Sequence, residues 1–458
     1  MTVMEKSFEI FWLLLISTII TITDCKEHNY TNDRSLAIPT IKKISHQKQI
    51  HIAIGDNLSQ MVIIWSERRQ TNKTAVTYGV YKGEYSHIET GYSLLLKNDN
   101  KLQYIHYVTL KKLKSNTKYK YRVGSPQDWS EEHIFKTMRT DNQWVPRVVI
   151  FGDMGWIKGY SIPSLIEMTE KDAFDAVIHI GDIAYELYTF KGTLGDGFMR
   201  AIEPIASKIP YLVIPGNHEY WSARDHDYGY NYKRRFKMPQ NNDNEFYTFT
   251  LGKALFVAFS TEFYFRIENG SNEKVRLQKR WLEQILTEAN RPQNRAKHPW
   301  IIGLGHRSLY CSTTDADCVD GMTIDTGDTD TKILELEEIL HRQGVDVTFW
   351  GHYHYYDRLY PVYKRIMDQS NTPYVNPFTT VHIISGAAGM DGDPEPEKFV
   401  DPPPPWSAFR TIKYGYSVMN IVNDTHVFIK QIQINHPEKP IDSIWIVQHN
   451  HTTRAPIG

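Results

Sequence analysis

Oxygen- and nitrogen-bearing side chains recur just after apolar runs of this chain, in short motifs that each open on a glycine. They are Asp153 in Gly152-Asp153-Met154-Gly155, Asp182 and Tyr185 in Gly181-Asp182-Ile183-Ala184-Tyr185, and Asn217 in Gly216-Asn217-His218-Glu219. His306 follows in Gly305-His306-Arg307, then His352 and His354 in Gly351-His352-Tyr353-His354. Carboxylate, phenol, amide and imidazole without thiolate suit borderline-hard ions such as iron, zinc or manganese. There is enough ligand here for two ions, and two metals side by side suit phosphate ester hydrolysis.

Asp182 is the natural bridging group, because a carboxylate offers two oxygens and its motif lies between the others. A phenol ionises at about pH 10, so only a strongly Lewis-acidic ion keeps Tyr185 deprotonated in acid. That points to Fe(III) at one position. His352 and His354 are one residue apart, and beyond a strand end such a pair can reach different ions.

Elements must position these groups. Residues 38 to 138 read as short strands separated by turn residues, with Met61-Val62-Ile63-Ile64-Trp65 and Lys118-Tyr119-Lys120-Tyr121-Arg122-Val123 as examples. Strands at this spacing, without helical period, predict a β-sandwich. After Trp144-Val145-Pro146 the pattern changes to apolar strands alternating with helical segments. Strands are expected at Val148–Phe151, Ala176–Ile180, Tyr211–Ile214, Ala254–Phe259, Trp300–Leu304, Val345–Trp350 and Val381–Ile384. Helices are expected from Ser161 towards Phe174, from Lys274 to Ala289 and from Thr331 to Gln343. This is an α/β pattern, and each candidate ligand follows the carboxyl end of a strand, where such sheets place their sites. A closing hairpin is expected at residues 414–430, with a last strand near Ser443–Val447.

Net charge is −1 over 458 residues, which gives no reason to expect nucleic acid or an anionic membrane as partner. Lys6 followed by an apolar run from Ile10 reads as an export signal over residues 1–25, and no second run is long enough to span a bilayer. Of 3 cysteines, Cys25 sits at the signal's edge, leaving Cys311 and Cys318 as an expected disulfide. Closing so short a loop would stabilise by about 2.5 kcal/mol and stiffen the segment after His306. Glycosylation sequons at Asn29, Asn57, Asn72, Asn269, Asn423 and Asn450 agree with a secreted or lysosomal glycoprotein.

The motif set resembles the purple acid phosphatases, within the calcineurin-like metallophosphoesterases. Pro405-Trp406-Ser407-Ala408-Phe409-Arg410, Tyr414-Gly415-Tyr416 and Asp442-Ser443-Ile444-Trp445 resemble the long form found in animals. The resemblance implies a fibronectin III-like β-sandwich over residues 26–140, a metallophosphoesterase αββα sandwich over 145–400, and a C-terminal closing segment over 401–458. It implies Fe(III) held by Asp153, Tyr185 and His354, a divalent ion (Zn, Fe or Mn) held by Asn217, His306 and His352, and Asp182 bridging both. His218 would not be a ligand but would face the phosphate as a catalytic group. The implied reaction is hydrolysis of phosphorylated small molecules or proteins by attack of a metal-bound hydroxide. Fe(III) with a divalent ion brings about five positive charges, and the anionic ligands with hydroxide remove about four, leaving a net attraction for phosphate.

Two positions depart from the family pattern. Gly303 stands where the His306 motif usually has Val, and Asp315 and Asp317 occupy the region of a substrate-contacting His pair in plant members. A phosphodiesterase or nucleotide pyrophosphatase on the same scaffold is the alternative activity. A non-catalytic glycoprotein would predict lost ligands, and none is lost.

Overall fold

The computed structural model describes residues 46–71, 73–220, 229–265, 271–314, 333–389 and 398–455. The expected signal, Cys25, Asn29, Asn72, Asn269, Asp315, Asp317 and Cys318 lie outside the described residues.

The first strands form two sheets, as their spacing predicts. A four-stranded sheet runs in the order Lys48–Ile54, Met61–Glu67, Lys101–Leu110, Tyr92–Asn98, and a five-stranded sheet includes Ala75–Val80 and Lys118–Ser125. Met61–Glu67 is buried along its whole length, and its period of two explains why. Met61, Ile63 and Trp65 enter the core between these two sheets. Val62 and Ile64 point the other way, into the core shared with the rest of the chain. The sandwich is therefore packed on the α/β part through one full face.

Two larger sheets follow. The first runs Tyr211–Ile214, Ala176–Ile180, Arg147–Phe151, Gly415–Ile421, His426–Gln433, Pro440–Val447. Its first three strands are parallel; the C-terminal three join antiparallel, beginning beside Arg147–Phe151. The expected closing hairpin and last strand are thus built into this sheet. The second sheet runs Tyr247–Leu251, Ala254–Ala258, Trp300–Leu304, Val347–Trp350, Val381–Ser385, Tyr356–Leu359, Ser407–Thr411.

Alternation along the second sheet separates its two faces. Trp300, Ile302, Leu304, Val347, Phe349 and Ile383 enter the core shared with the first sheet. Ile301, Trp350 and Ile384 pack with Val275, Leu282 and Leu286 of helix Ser271–Ala289 and Leu336 and Leu340 of helix Ile333–Arg342. Leu165 of helix Ile162–Glu170 and Phe198 and Ile202 of helix Thr189–Ala206 pack in the shared core, beside the first sheet. The layers are helix, sheet, sheet, helix. Helix Ile162–Glu170 ends earlier than its apolar pattern suggests, because the chain turns through Asp172 at φ 53°. Helix Thr189–Ala206 was not expected from the sequence.

Candidate metal centre

Five strand ends converge on one place. Asp153 follows strand Arg147–Phe151, Asp182 and Tyr185 follow Ala176–Ile180, and Asn217 follows Tyr211–Ile214, all in the first sheet. His306 follows Trp300–Leu304, and His352 and His354 follow Val347–Trp350, in the second. Several of these groups leave the strand in left-handed backbone: Asp153 at φ 61°, Asp182 at 52°, Tyr185 at 46° and His352 at 70°. That conformation costs an L-residue roughly 1–3 kcal/mol and persists where the fold requires a particular side-chain direction. Gly181, at φ 89°, makes the approach possible: a Cβ there would lie 2.3 Å from His306 Nδ1 and 2.8 Å from Gly216 Cα.

The side chains meet in two groups, with Asp182 in contact with the second. In one, the Tyr185 phenol oxygen lies 2.8 Å from His354 Nε2 and 3.2 Å from Asp153 Oδ1. In the other, Asn217 Oδ1 lies 3.1 Å from His306 Nε2 and 3.0 Å from His352 Nδ1. Asp182 Oδ2 is 3.3 Å from His306 Nε2, and one ligand atom each from Asp182, His306 and His352 lies within 4.8 Å of the others. His352 and His354 therefore face different groups, as the His-x-His spacing allows. Asn217 begins the short helix Asn217–Tyr220, but its side-chain oxygen faces the histidines. The Nδ1 of His306 lies 2.8 Å from the Ile180 carbonyl, so a proton there leaves Nε2 as a donor atom for a cation.

The electrostatics ask for positive charge. Asp153 and Asp182 are fully buried, and among the described residues no lysine or arginine pairs with either. Burial pushes Asp153 well above the usual carboxylate range; His306 opposes this and the charge of Asp182 adds to it. Burial disfavours ionised Asp182 too, but His306 and His218 outweigh it and hold this carboxyl below the ordinary range. The histidines answer in kind. Burial would lower His306, yet Asp182 pushes it up to about 10. Burial would lower His218, yet Asp182 and the Glu186 hydrogen bond raise it to about 9. Burial, with Asp153 and Asp182, keeps the Tyr185 phenol well above its ordinary value. Protons on Asp153, Tyr185 and the histidines offset the mutual repulsion of these groups, and bound cations would replace those protons and ionise Tyr185 as well. The donor set fits two metal ions.

Three carboxylates and an arginine support these groups in ways the motifs alone do not reveal. Glu219 accepts the backbone N–H of Asp182 at 2.8 Å, Ile183 at 2.9 Å and Gly216 at 2.8 Å. Arg307 approaches His352 Nε2 at 3.1 Å and donates from Nε to Glu262 at 3.1 Å. Glu186 meets His218 Nδ1 at 3.0 Å. Glu219 is visible in the sequence only as the last letter of Gly-Asn-His-Glu. Glu186 and Arg307 adjoin predicted ligands and carry no other signal.

Sequence-family models match along most of the described chain: the calcineurin-like phosphoesterase at residues 146–356, the purple acid phosphatase N-terminal domain at 47–137, and the iron/zinc purple acid phosphatase-like protein C at 379–443. Acid phosphatase type 7 of Mus musculus is 42% identical over 348 residues, covering 75% of this chain and 77% of the mouse protein. The chain belongs to the purple acid phosphatase family. Acid phosphatase type 7 of Danio rerio is 37% identical over 414 residues, covering 88% of this chain and 92% of the fish protein. Among solved structures, purple acid phosphatase PPD1 from yellow lupin (Lupinus luteus) seeds superposes with a TM-score of 0.74 at 24% identity, over 88% of this chain and 75% of the lupin chain, which shows the shared fold. Membership of the purple acid phosphatases implies a binuclear metal centre, and the two groups around Asp182 are its candidate here.

Proposed function

We propose that this purple acid phosphatase hydrolyses phosphate monoesters at an Fe(III) held by Asp153, Tyr185 and His354 and a divalent ion held by Asn217, His306 and His352, with Asp182 shared. The observation that carries the reading is the half-buried Tyr185 phenol beside His354 Nε2 and the buried Asp153 Oδ1. The bound pair would supply Lewis acidity toward phosphate and a water ionised in acid. Zn, Fe and Mn all suit the oxygen and nitrogen donors of the second position.

The chain's own residues do the rest. His218 is raised on its backbone N–H, which donates to Asp182 Oδ1 at 3.0 Å, and is partly exposed at the mouth of the cluster. From there it donates to a phosphate oxygen or protonates the departing alkoxide. Asp153 and Asp182 are steadied by backbone N–H groups of His352 and His218, so neither carboxylate swings when substrate arrives.

Export and glycosylation fit the same reading. Asn57 and Asn423 are exposed, and each side-chain oxygen accepts from the hydroxyl and backbone N–H two residues on, so the amide nitrogen faces solvent. Asn450 is also exposed. Cys311 is buried just beyond the His306 loop, where a bridge to Cys318 would brace that wall. Among the described residues no helix is long and apolar enough to cross a membrane.

The deciding experiment is the visible absorption spectrum of the purified protein, with metal analysis and phosphomonoesterase assay on the same sample. A purple band that vanishes in Tyr185→Phe is expected. A colourless, metal-loaded and active wild type would overturn the Fe(III) assignment.

A further inference from the structure

Glu186 directly follows Tyr185 and belongs to neither ligand group. Its backbone lies at φ 92°, the second left-handed residue in succession. Two such residues in a row are unfavourable for L-amino acids, so the loop holds them against an intrinsic preference. What this achieves is a directed carboxylate. Glu186 Oε2 accepts the Thr189 hydroxyl at 3.0 Å, which fixes the group from behind. Glu186 Oε1 then lies 3.0 Å from His218 Nδ1. The His218 ring packs on the Tyr185 ring with centroids 4.6 Å apart, and its Nε2 lies 3.9 Å from Asp182 Oδ2, on the side of the metal centre.

We propose that Glu186 is a positioning residue: through Nδ1–H it fixes His218 so that Nε2–H is presented to the leaving-group oxygen of the phosphate ester. The inference rests on the proposed phosphomonoesterase activity and adds a division of labour to it. Water oxygen forms a new bond to phosphorus, and the bond from phosphorus to the ester oxygen breaks with its electron pair kept by that oxygen. The oxygen takes the proton from His218 Nε2. The imidazole left behind still donates Nδ1–H to Glu186; the attacking water releases one proton to solvent, and solvent returns one to His218 Nε2. Among the described residues, Glu186 at one nitrogen and Tyr185 at its face constrain the ring during this exchange.

The consequence is selective by substrate. An ester with a poor leaving group, such as a simple alkyl phosphate, needs the proton as the bond breaks. An ester such as p-nitrophenyl phosphate leaves as a stable anion and needs it much less. The experiment compares Glu186→Gln with wild type in the metal-loaded, full-length protein, across phosphate esters of graded leaving-group acidity. Metal content, thermal unfolding and inorganic phosphate inhibition are measured on the same samples. The expected result is kcat reduced by about 10- to 100-fold for alkyl phosphates and by less than about threefold for p-nitrophenyl phosphate, since general acid catalysis contributes only where the leaving group needs it. KM, phosphate inhibition and both metals stay at wild-type values. Thr189→Val should give a smaller loss with the same dependence on leaving group, and Glu186→Gln should add nothing in a His218→Asn background. Equal losses across all esters, no loss on any, or loss of metal with activity would each overturn the positioning role. A wild type without phosphomonoesterase activity would instead overturn the proposed function.

Discussion

The carboxylate of Glu219 is bound to the backbone of Asp182: Oε2 accepts the Asp182 N–H at 2.8 Å, and the same oxygen accepts that of Gly216. One buried side chain thus ties two of the site's loops together, with Oε1 taking the Ile183 N–H. Burial, then the nearby Asp182 charge, pushes this carboxyl up to about 7. Glu219→Ala would strand three buried N–H groups, each worth about 1–3 kcal/mol when unsatisfied. Denaturant unfolding of the variant should show a loss of at least about 3 kcal/mol together with weakened metal binding. An unchanged midpoint would show that the loops are held by other means.

His352 and His354 should separate by experiment. His354→Ala is expected to abolish the visible band and lower the iron content. His352→Ala should keep the band and lose the divalent ion. Each should reduce metal affinity by more than the roughly 10–100-fold typical of an outer partner. Metal analysis against absorbance provides the check, and loss of both ions in both variants would contradict the division.

Asp196 joins the sandwich to the α/β part. Its Oδ1 accepts from Gln49 at 3.1 Å, Gln103 at 3.0 Å and Arg235 at 3.0 Å, and Lys101 lies 2.6 Å from Oδ2. Arg235 is 1% exposed, so Asp196→Ala leaves a buried cation unpaired, at a cost of about 3–5 kcal/mol. Burial disfavours ionised Asp196, but Arg235 and Lys101 outweigh it and lower its pKa to about 2. A depressed carboxyl contributes its stability above the unfolded value of 3.8 and loses it only as pH falls towards 2. The clamp should therefore persist in mildly acidic conditions. Wild type and Asp196→Ala should differ equally at pH about 5 and 7, and converge only in strong acid.

Asp357 has the opposite sign. Burial raises its pKa to about 7, against hydroxyl hydrogen bonds from Ser312 at 2.5 Å and Ser407 at 2.8 Å. The folded chain holds this proton after the unfolded chain, at 3.8, has released it. Stability from this group is thus full below 3.8 and is lost as pH rises through about 7. Asp357→Asn should remove that slope. Thermal melts should show the variant gaining on wild type between acid and neutral pH, by up to about 4 kcal/mol. A constant difference would refute the assignment.

The candidate site was legible because its proposed ligands stand where apolar runs stop. Phe151, Ile180, Ile214, Leu304 and Trp350 end parallel strands, and the residues just after them must lie along the sheet edges. Gly303, which departs from the family pattern, sits inside a fully buried strand where a Cβ would come within 2.7 Å of Thr348 Cγ2, so the strand and His306 keep their places.

Helix Thr189–Ala206 was not legible, and its glycines explain why. Gly192, Gly195 and Gly197 each weaken a helix, so the segment lacks a helical signal. In the folded chain Gly197 makes room for Trp156, whose ring a Cβ would meet at 2.4 Å. Gly192 sits at φ 76°, in the non-helical stretch that opens the element. These roles depend on distant partners, which local pattern cannot supply. The same holds for Glu219 and Glu186, whose acceptor positions exist only once separate loops meet.

The site draws its members from both sheets. Asp153, Asp182, Tyr185 and Asn217 lie at the edge of one, and His306, His352 and His354 at the edge of the other. Under the proposed assignment every ion is a rivet through two plates, and neither plate alone offers a full set of holes. Loading with metal would then report that the sheets have docked, making it a late seal on a finished chain, and a chelator would loosen the seam before it unravelled either plate.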